Sequence, residues 1–379
     1  MDINEFILSV QQMAPQMITS CCIVNRTVMN LQEIENMGYN KFSYSSKINM
    51  PLKLYKYFPN KEGITDDSKV NYSIQALKNN TVFMQSPSNF DDVYDSEIDI
   101  DFSEYHKLRL LEYCKRCGIE INDQKSIEEV GNVFTNFILD SINKYKDYEH
   151  IFIKKPVSHI EELANTLFKN NLIIGLNHNN DLSQVVFEII CKEYEKYIKE
   201  LKNTFRVSCF ATTPFSQLMW SGYADYHRGF CLEYTVLPDD ERYKDIYYNL
   251  FPMVYCKTRP DITERIVRAK DKDLTEEDLW DIYFHGALRK SVDWAFQDEW
   301  RLLLPMRKEK SEDYNIKFFP ITKVFLGNRM LTEKRKEIID FCNSRNIPYI
   351  GVKRNANMFE MEECSIKCED CPNYFDNIK

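Results

Sequence analysis

Between residues 103 and 203 the apolar residues recur every three or four positions, whereas on both sides they alternate or run in short blocks. The first spacing fits amphipathic helices and the second fits strands. Strands far apart in the chain must therefore meet across a helical segment, and few folds satisfy that. The helical stretch contains HKLRLLEYCKRC, SIEEVGNVFTNFILDSINKY, IEELANTLFKN and LSQVVFEIICKEYEKYIKELKN. Strands are expected at 52–58, 81–87, 205–212, 229–236, 249–256, 299–305, 321–328 and 347–353, and helices at 71–80, 274–290 and 332–346. Because strands and helices alternate irregularly, the expected class is α+β, with a mixed, mainly antiparallel sheet and 103–203 as a helical insertion. The core is expected at 50–360. Residues 1–49 read as an N-terminal helical extension, because NEFILSVQQM has helical spacing and Pro15 interrupts it. Residues 361–379 form a cysteine-containing tail.

Composition removes several functions. The 379 residues include only 10 glycines, and neither GxGxxG nor GxxxxGK[ST] occurs, so Rossmann and P-loop readings have no motif. A net charge of −9 argues against broad, charge-driven nucleic-acid binding. No apolar run reaches the ~18 residues that span a bilayer, and MDINEF has no basic start of the kind a secretory signal carries. A cytoplasmic protein is expected. In a reducing compartment its 12 cysteines are expected as thiols or metal ligands rather than disulfides.

Five motifs occur in order: LYKYF, SPSNFDDVYD, SCFATTPFSQLMWSGYADYHRGFCLEY, KSVDWAFQDEWRLLLP and ITKVFLGNRM. The series, from about residue 51 to 360, resembles the bacterial family catalogued as domain of unknown function 2971. This chain departs from the family pattern at Asp91 (usually Asn), Val93 (usually Pro), Gly222 (usually His) and Gln297 (usually Glu). The resemblance implies an architecture and a candidate surface, but no reaction.

Gln297 and Glu299 are two apart, which on a strand puts them on one face. Gln-x-Glu entering an apolar strand resembles the glutamate motif of ADP-ribosyltransferases. That resemblance implies that Glu299 stabilises the oxocarbenium ion formed as nicotinamide leaves NAD, with Lys56 and Ser208 as the early-strand and middle-strand partners. A lysine at 56 replaces the usual Arg or His. It implies NAD as co-substrate, a protein or nucleic-acid acceptor, and a place among toxins or phage-defence effectors. The plainer alternative pairs Glu299 with Arg301 as structural ions. Tyr57, Asp92, Trp220, Tyr223, His227, Arg228 and Arg301 are the candidate substrate-binding residues. Of these, Trp220 and Tyr223 read first as core, and His227–Arg228 as a solvated turn or a phosphate site, with His227 also a candidate general acid or base. Asp91, Asp92 and Asp95 suit a hard cation or a self-bonded turn. Cys364, Cys368 and Cys371 form CxxxCxxC, a spacing that lets thiolates converge on zinc, with a loose tail of thiols as the alternative. A non-catalytic ligand- or partner-recognition module remains the rival to the transferase.

Overall fold

Asn25 and Arg26 both adopt positive φ, 48° and 62°. This pair turns Cys21–Val24 (β1) into Thr27–Asn30 (β2) as a two-residue hairpin. Two helices follow, Leu31–Glu35 (α1) and Gly38–Ile48 (α2). The computed structural model describes residues 19–65, 68–90, 92, 95, 101–145, 179–203, 205–259, 263, 267, 286–305 and 314–365.

The chain divides into two units. One comprises Met1–Glu97, Lys202–Arg259 and Trp280–Lys379. After α2 it contains Lys53–Phe58 (β3), Gly63–Thr65 (β4), Ser68–Val70 (β5), Tyr72–Asn79 (α3) and Thr81–Met84 (β6). The other unit, Ile98–Leu201 with Pro260–Leu279, holds Phe102–Arg116 (α4), Ile127–Tyr145 (α5) and most of Asn179–Asn203 (α6). Its helix starts follow from sequence. Asp101 caps α4 by accepting from the Glu104 amide, and Ser126 and Glu129 form a reciprocal capping box at α5. Tyr105, Leu110, Cys114, Val130, Phe134 and Ile190 are buried there.

Back in the first unit come Phe205–Phe210 (β7), Gln217–Tyr223 (α7), Phe230–Thr235 (β8), Lys244–Tyr248 (α8), Leu250–Pro252 (β9) and Val254–Cys256 (β10). Arg289–Ser291 (β11), Trp300–Pro305 (β12), Tyr314–Lys317 (β13) and Ile321–Leu326 (β14) follow. Thr332–Arg345 (α9), Tyr349–Arg354 (β15) and Met361–Glu363 (β16) end the described chain's regular structure. The strand orders are β16-β15-β14-β8-β3, β7-β12-β9 and β11-β10-β1-β2. All pairings among them are antiparallel except β14–β15 and β10–β11, so the class is α+β, as expected.

The first two sheets touch where Tyr55 bridges Ala211. Further along β7, Val207 is bridged by Gln85 instead, so β3 and β7 splay apart as β6's end arrives. Period-two alternation then assigns the faces. Leu54, Phe58, Phe210, Phe230, Leu232, Trp300 and Leu302 share one apolar cluster under α3 and α9. On the opposite side, Tyr55, Tyr57, Trp220, Cys231 and Phe325 form a second cluster. Val207, Phe251, Leu303 and the β1–β2 residues form a third.

Several expectations change. Residues 21–30 are strands, and β1 pairs with β10, so this part of 1–49 is built into the core sheet rather than being a helical extension. NEFILSVQQM lies outside the described residues. The strand read over 249–256 breaks at Met253 into β9 and β10, whose partners differ. The helix read over 274–290 lies mostly outside the described residues, and its end, Arg289–Lys290, is strand β11. β13 was not expected. Residues 260–279 group with the helical unit, whereas the sequence reading kept them in the core.

Candidate functional site

Asp298, at φ 43°, ends the short helix Val292–Gln297 and turns the chain into β12. Its carboxylate is held by Arg26 at 2.5 Å and by Thr212. This turn, not strand alternation, brings Gln297 and Glu299 to one partner, the Lys290 ammonium. Lys290 Nζ lies 2.9 Å from Gln297 Oε1 and 3.1 Å from Glu299 Oε2. Arg301 Nε donates to Glu299 Oε1 at 2.6 Å. Asp95 completes the group, with its Oδ2 2.6 Å from Arg301 and 2.9 Å from Lys290. Arg301 also donates to the Ala287 carbonyl, and the Glu299 amide donates to the Tyr255 hydroxyl. Phe90 lies against Arg301 and Trp294 against Lys290.

Two carboxylates thus meet two cations, and the four charges sum to zero. All four side chains are nearly closed to solvent, and Arg301 is 0% exposed. Burial pushes the Asp95 and Glu299 carboxyls up, but Arg301 and Lys290 outweigh it and hold both below the usual carboxylate range. Burial likewise lowers Lys290, and Glu299 and Asp95 outweigh it, raising the ammonium above its ordinary value. A depressed carboxyl contributes stability that is full above the unfolded pKa, about 4, and is lost as pH falls through the folded value. Unfolding midpoints are therefore expected to decline steeply below about pH 4. Asp95→Asn removes one of these carboxyls, so its acid limb should be shallower in urea melts taken between pH 3 and 7. An acid limb as steep as that of the wild type would contradict the assignment.

Lys56 and Ser208 do meet, with Nζ 3.1 Å from Oγ. Among the described residues no hydrogen bond or ion pair joins either of them to Glu299. Ser208 is opposite Leu302 on β12, on the face of the first cluster, while Arg301 is opposite Cys209 and turns to the other face. Lys56 reaches the Cys209 carbonyl at 2.9 Å and lies over the Phe210 ring, filling the gap where β3 leaves β7. Burial lowers its pKa, against Cys209 and Glu299, whose charges reach it and act the other way. Alternation along β7 and β12 puts Ser208 and Arg301 on opposite faces, while the Glu299 charge still reaches Lys56.

Tyr57 and Trp220 are core residues. Their rings pack edge to face at 5.3 Å, Trp220 is 0% exposed, and their polar tips donate to the Thr213 and Pro214 carbonyls. This is the core reading of Trp220, and Tyr57 shares its cluster. Tyr223 differs: it is 43% exposed, and its hydroxyl accepts from Gln297 Nε2 at 2.6 Å. It connects the surface through Gln297 and Lys290 to Glu299. His227 stacks parallel on Trp220 at 6.3 Å, and Arg228 is exposed. The Asp92 carbonyl accepts from the Asp95 amide, a turn contact. Asp91 lies outside the described residues, and Asp95 is bound to cations of the chain itself. Cys364 donates its amide to Gly351, while Cys368 and Cys371 lie outside the described residues. Among the described residues, no group of three His, Cys, Asp or Glu side chains is placed to hold a metal. No described helix is long and apolar enough to cross a membrane.

Sequence reasoning left Lys290 and Tyr255 out of the site. Lys290 had a signal, as the lysine that opens the KSVDWAFQDEWRLLLP motif. Tyr255 had none, because it reads as one apolar residue of a strand.

Residues 219–302 match the family model described as Protein of unknown function (DUF2971). That span contains Tyr223, His227, Arg228, Lys290, Gln297, Glu299 and Arg301, and excludes Lys56, Asp95 and Ser208. No curated protein and no solved structure matches the chain.

Proposed function

We propose that the chain binds NAD or a related nucleotide at the surface around Tyr223 and acts on it as an ADP-ribosyltransferase-like transferase. The observation that carries this reading is the polar connection from the hydroxyl of Tyr223, a half-exposed residue, through Gln297 and Lys290 to Glu299. Lys290 and Arg301 keep the Glu299 carboxylate ionised and fixed, which is the preorganisation that stabilising a developing cation requires. In the reaction, the bond between the ribose carbon and the nicotinamide nitrogen breaks, and its electron pair leaves with nicotinamide. The acceptor's nucleophile then bonds to that carbon and gives its proton to solvent water. The residues proposed to act are Glu299, Gln297 and Tyr223. Lys56 and Ser208 have a structural part, bonding the splayed strands.

A second reading, a non-catalytic recognition module, is favoured by one observation: both Glu299 oxygens are already engaged within the chain. Calorimetric titration of the full chain with NAD and with ADP-ribose tests the ligand class that the transferase needs. Saturable heat with NAD is expected. No heat with either would remove the nucleotide from the proposal and leave the recognition reading to a different ligand.

A further inference from the structure

A second cluster lies where three strands end together beside a fourth. The registers Phe58↔Phe230 and Leu326↔Phe230 align the ends of β3, β8 and β14, while β15, paired at Leu326↔Gly351, runs three residues further to Arg354. Before β8, three successive residues adopt positive φ: Asp225 at 49°, Tyr226 at 54° and His227 at 70°. Side chains with a Cβ rarely adopt this conformation, and three in a row need support. It comes from several contacts. The His227 amide donates to Trp220, the Gly229 amide to Ala224, and the Arg329 amide to His227. Lys61 holds Asp225 at 2.9 Å. Gly327 is obligatory, because a Cβ there would collide with the His227 and Gly229 carbonyls.

This turn fixes His227 with its ring on Trp220 and its Nδ1 buried and without a hydrogen-bond partner. Asn328 Oδ1, two residues after Leu326, is also buried and unpartnered. Orphaned buried polar atoms are rare and call for an explanation. Arg329 and Arg354 are exposed, and neither has a carboxylate within ion-pair distance among the described residues. The Arg329 amide donates to the His227 carbonyl, and Arg354 lies two positions after Val352, which packs in the same cluster as Trp220; burial first, then these two arginines, lower the imidazole pKa. Asp225, the acid in the same turn, is already taken by Lys61.

We propose that His227, Arg329 and Arg354 form a phosphate subsite for a small-molecule ligand, the two guanidiniums taking its charge and the imidazole adding a hydrogen bond. Planar guanidiniums suit phosphoryl oxygens, which they grip in pairs. The inference deepens the reading above, since His227 follows Tyr223 by four residues, and it assigns the ligand's phosphates to this edge.

The test is calorimetric titration of the full chain with inorganic pyrophosphate, with the Arg329→Gln/Arg354→Gln double variant beside the wild type. Both arginines are exposed, so the double variant should fold, which circular dichroism checks. The wild type is expected to bind. The double variant should bind about 100-fold more weakly, at roughly tenfold for each lost charged hydrogen bond. No binding by the wild type, or equal affinity in both proteins, overturns the subsite. Tighter binding of a single-stranded oligonucleotide than of pyrophosphate through the same arginines overturns its assignment to a small molecule. Failure here is separable from failure of the transferase. Pyrophosphate binding through these arginines without NAD cleavage sinks only the reaction, and NAD cleavage without pyrophosphate binding sinks only the subsite.

Discussion

Arg301→Leu is expected to destabilise the folded protein by about 3–5 kcal/mol, the usual cost of removing one partner from a buried ion pair. Arg301 is fully buried and bonds Asp95, Glu299 and the Ala287 carbonyl together. Its loss leaves two buried carboxylates to one ammonium. The effect should appear as a large fall in the urea midpoint. Adding Asp95→Asn to Arg301→Leu should recover part of the loss, because it removes one of the uncompensated charges. Arg301→Lys should fall between, since an ammonium keeps the charge but cannot span both carboxylates as the guanidinium does. A midpoint shift worth under ~0.5 kcal/mol for Arg301→Leu, typical of surface changes, would mean that the cluster does not hold the fold.

Much of the sheet was legible because its strands carry strong period-two patterns. FCLEYT alternates Phe230, Leu232 and Tyr234 on one face with Cys231 and Glu233 on the other, and the structure keeps that division. The β1–β2 hairpin was not legible as part of the core. CCIV is too short to distinguish strand from helix by spacing, and its partner Val254–Cys256 lies more than two hundred residues away. At the site, the Glu299–Arg301 pairing could be anticipated from residues two apart. The convergence of Gln297 with Glu299 could be anticipated too, but from strand alternation, whereas it depends on the left-handed Asp298 that Arg26 and Thr212 hold from elsewhere in the chain. The same strand logic that placed Lys56 beside Ser208 also puts Ser208 and Arg301 on opposite faces. One residue of register decides the face, and motif order alone does not carry register.

The second large effect concerns Glu299 itself. Glu299→Gln removes the charge and leaves Lys290 and Arg301 short of one anion. Its melting point should therefore drop, and assays belong well below that point, with circular dichroism confirming the folded state. Under those conditions turnover should fall by ~100-fold or more, the scale of losing one preorganised electrostatic group. The Asp95→Asn variant separates the two effects: it also weakens the cluster, but its carboxyl has no place in the proposed polar connection to Tyr223. The decisive measurement is release of nicotinamide from NAD by the full chain, offered protein, RNA and DNA acceptors in turn, for the wild type, Glu299→Gln and Asp95→Asn. The account predicts release by the wild type, retention of most of it by folded Asp95→Asn, and loss of ~100-fold in folded Glu299→Gln. A wild type that releases no nicotinamide with any acceptor, or a folded Glu299→Gln as active as the wild type, would contradict it.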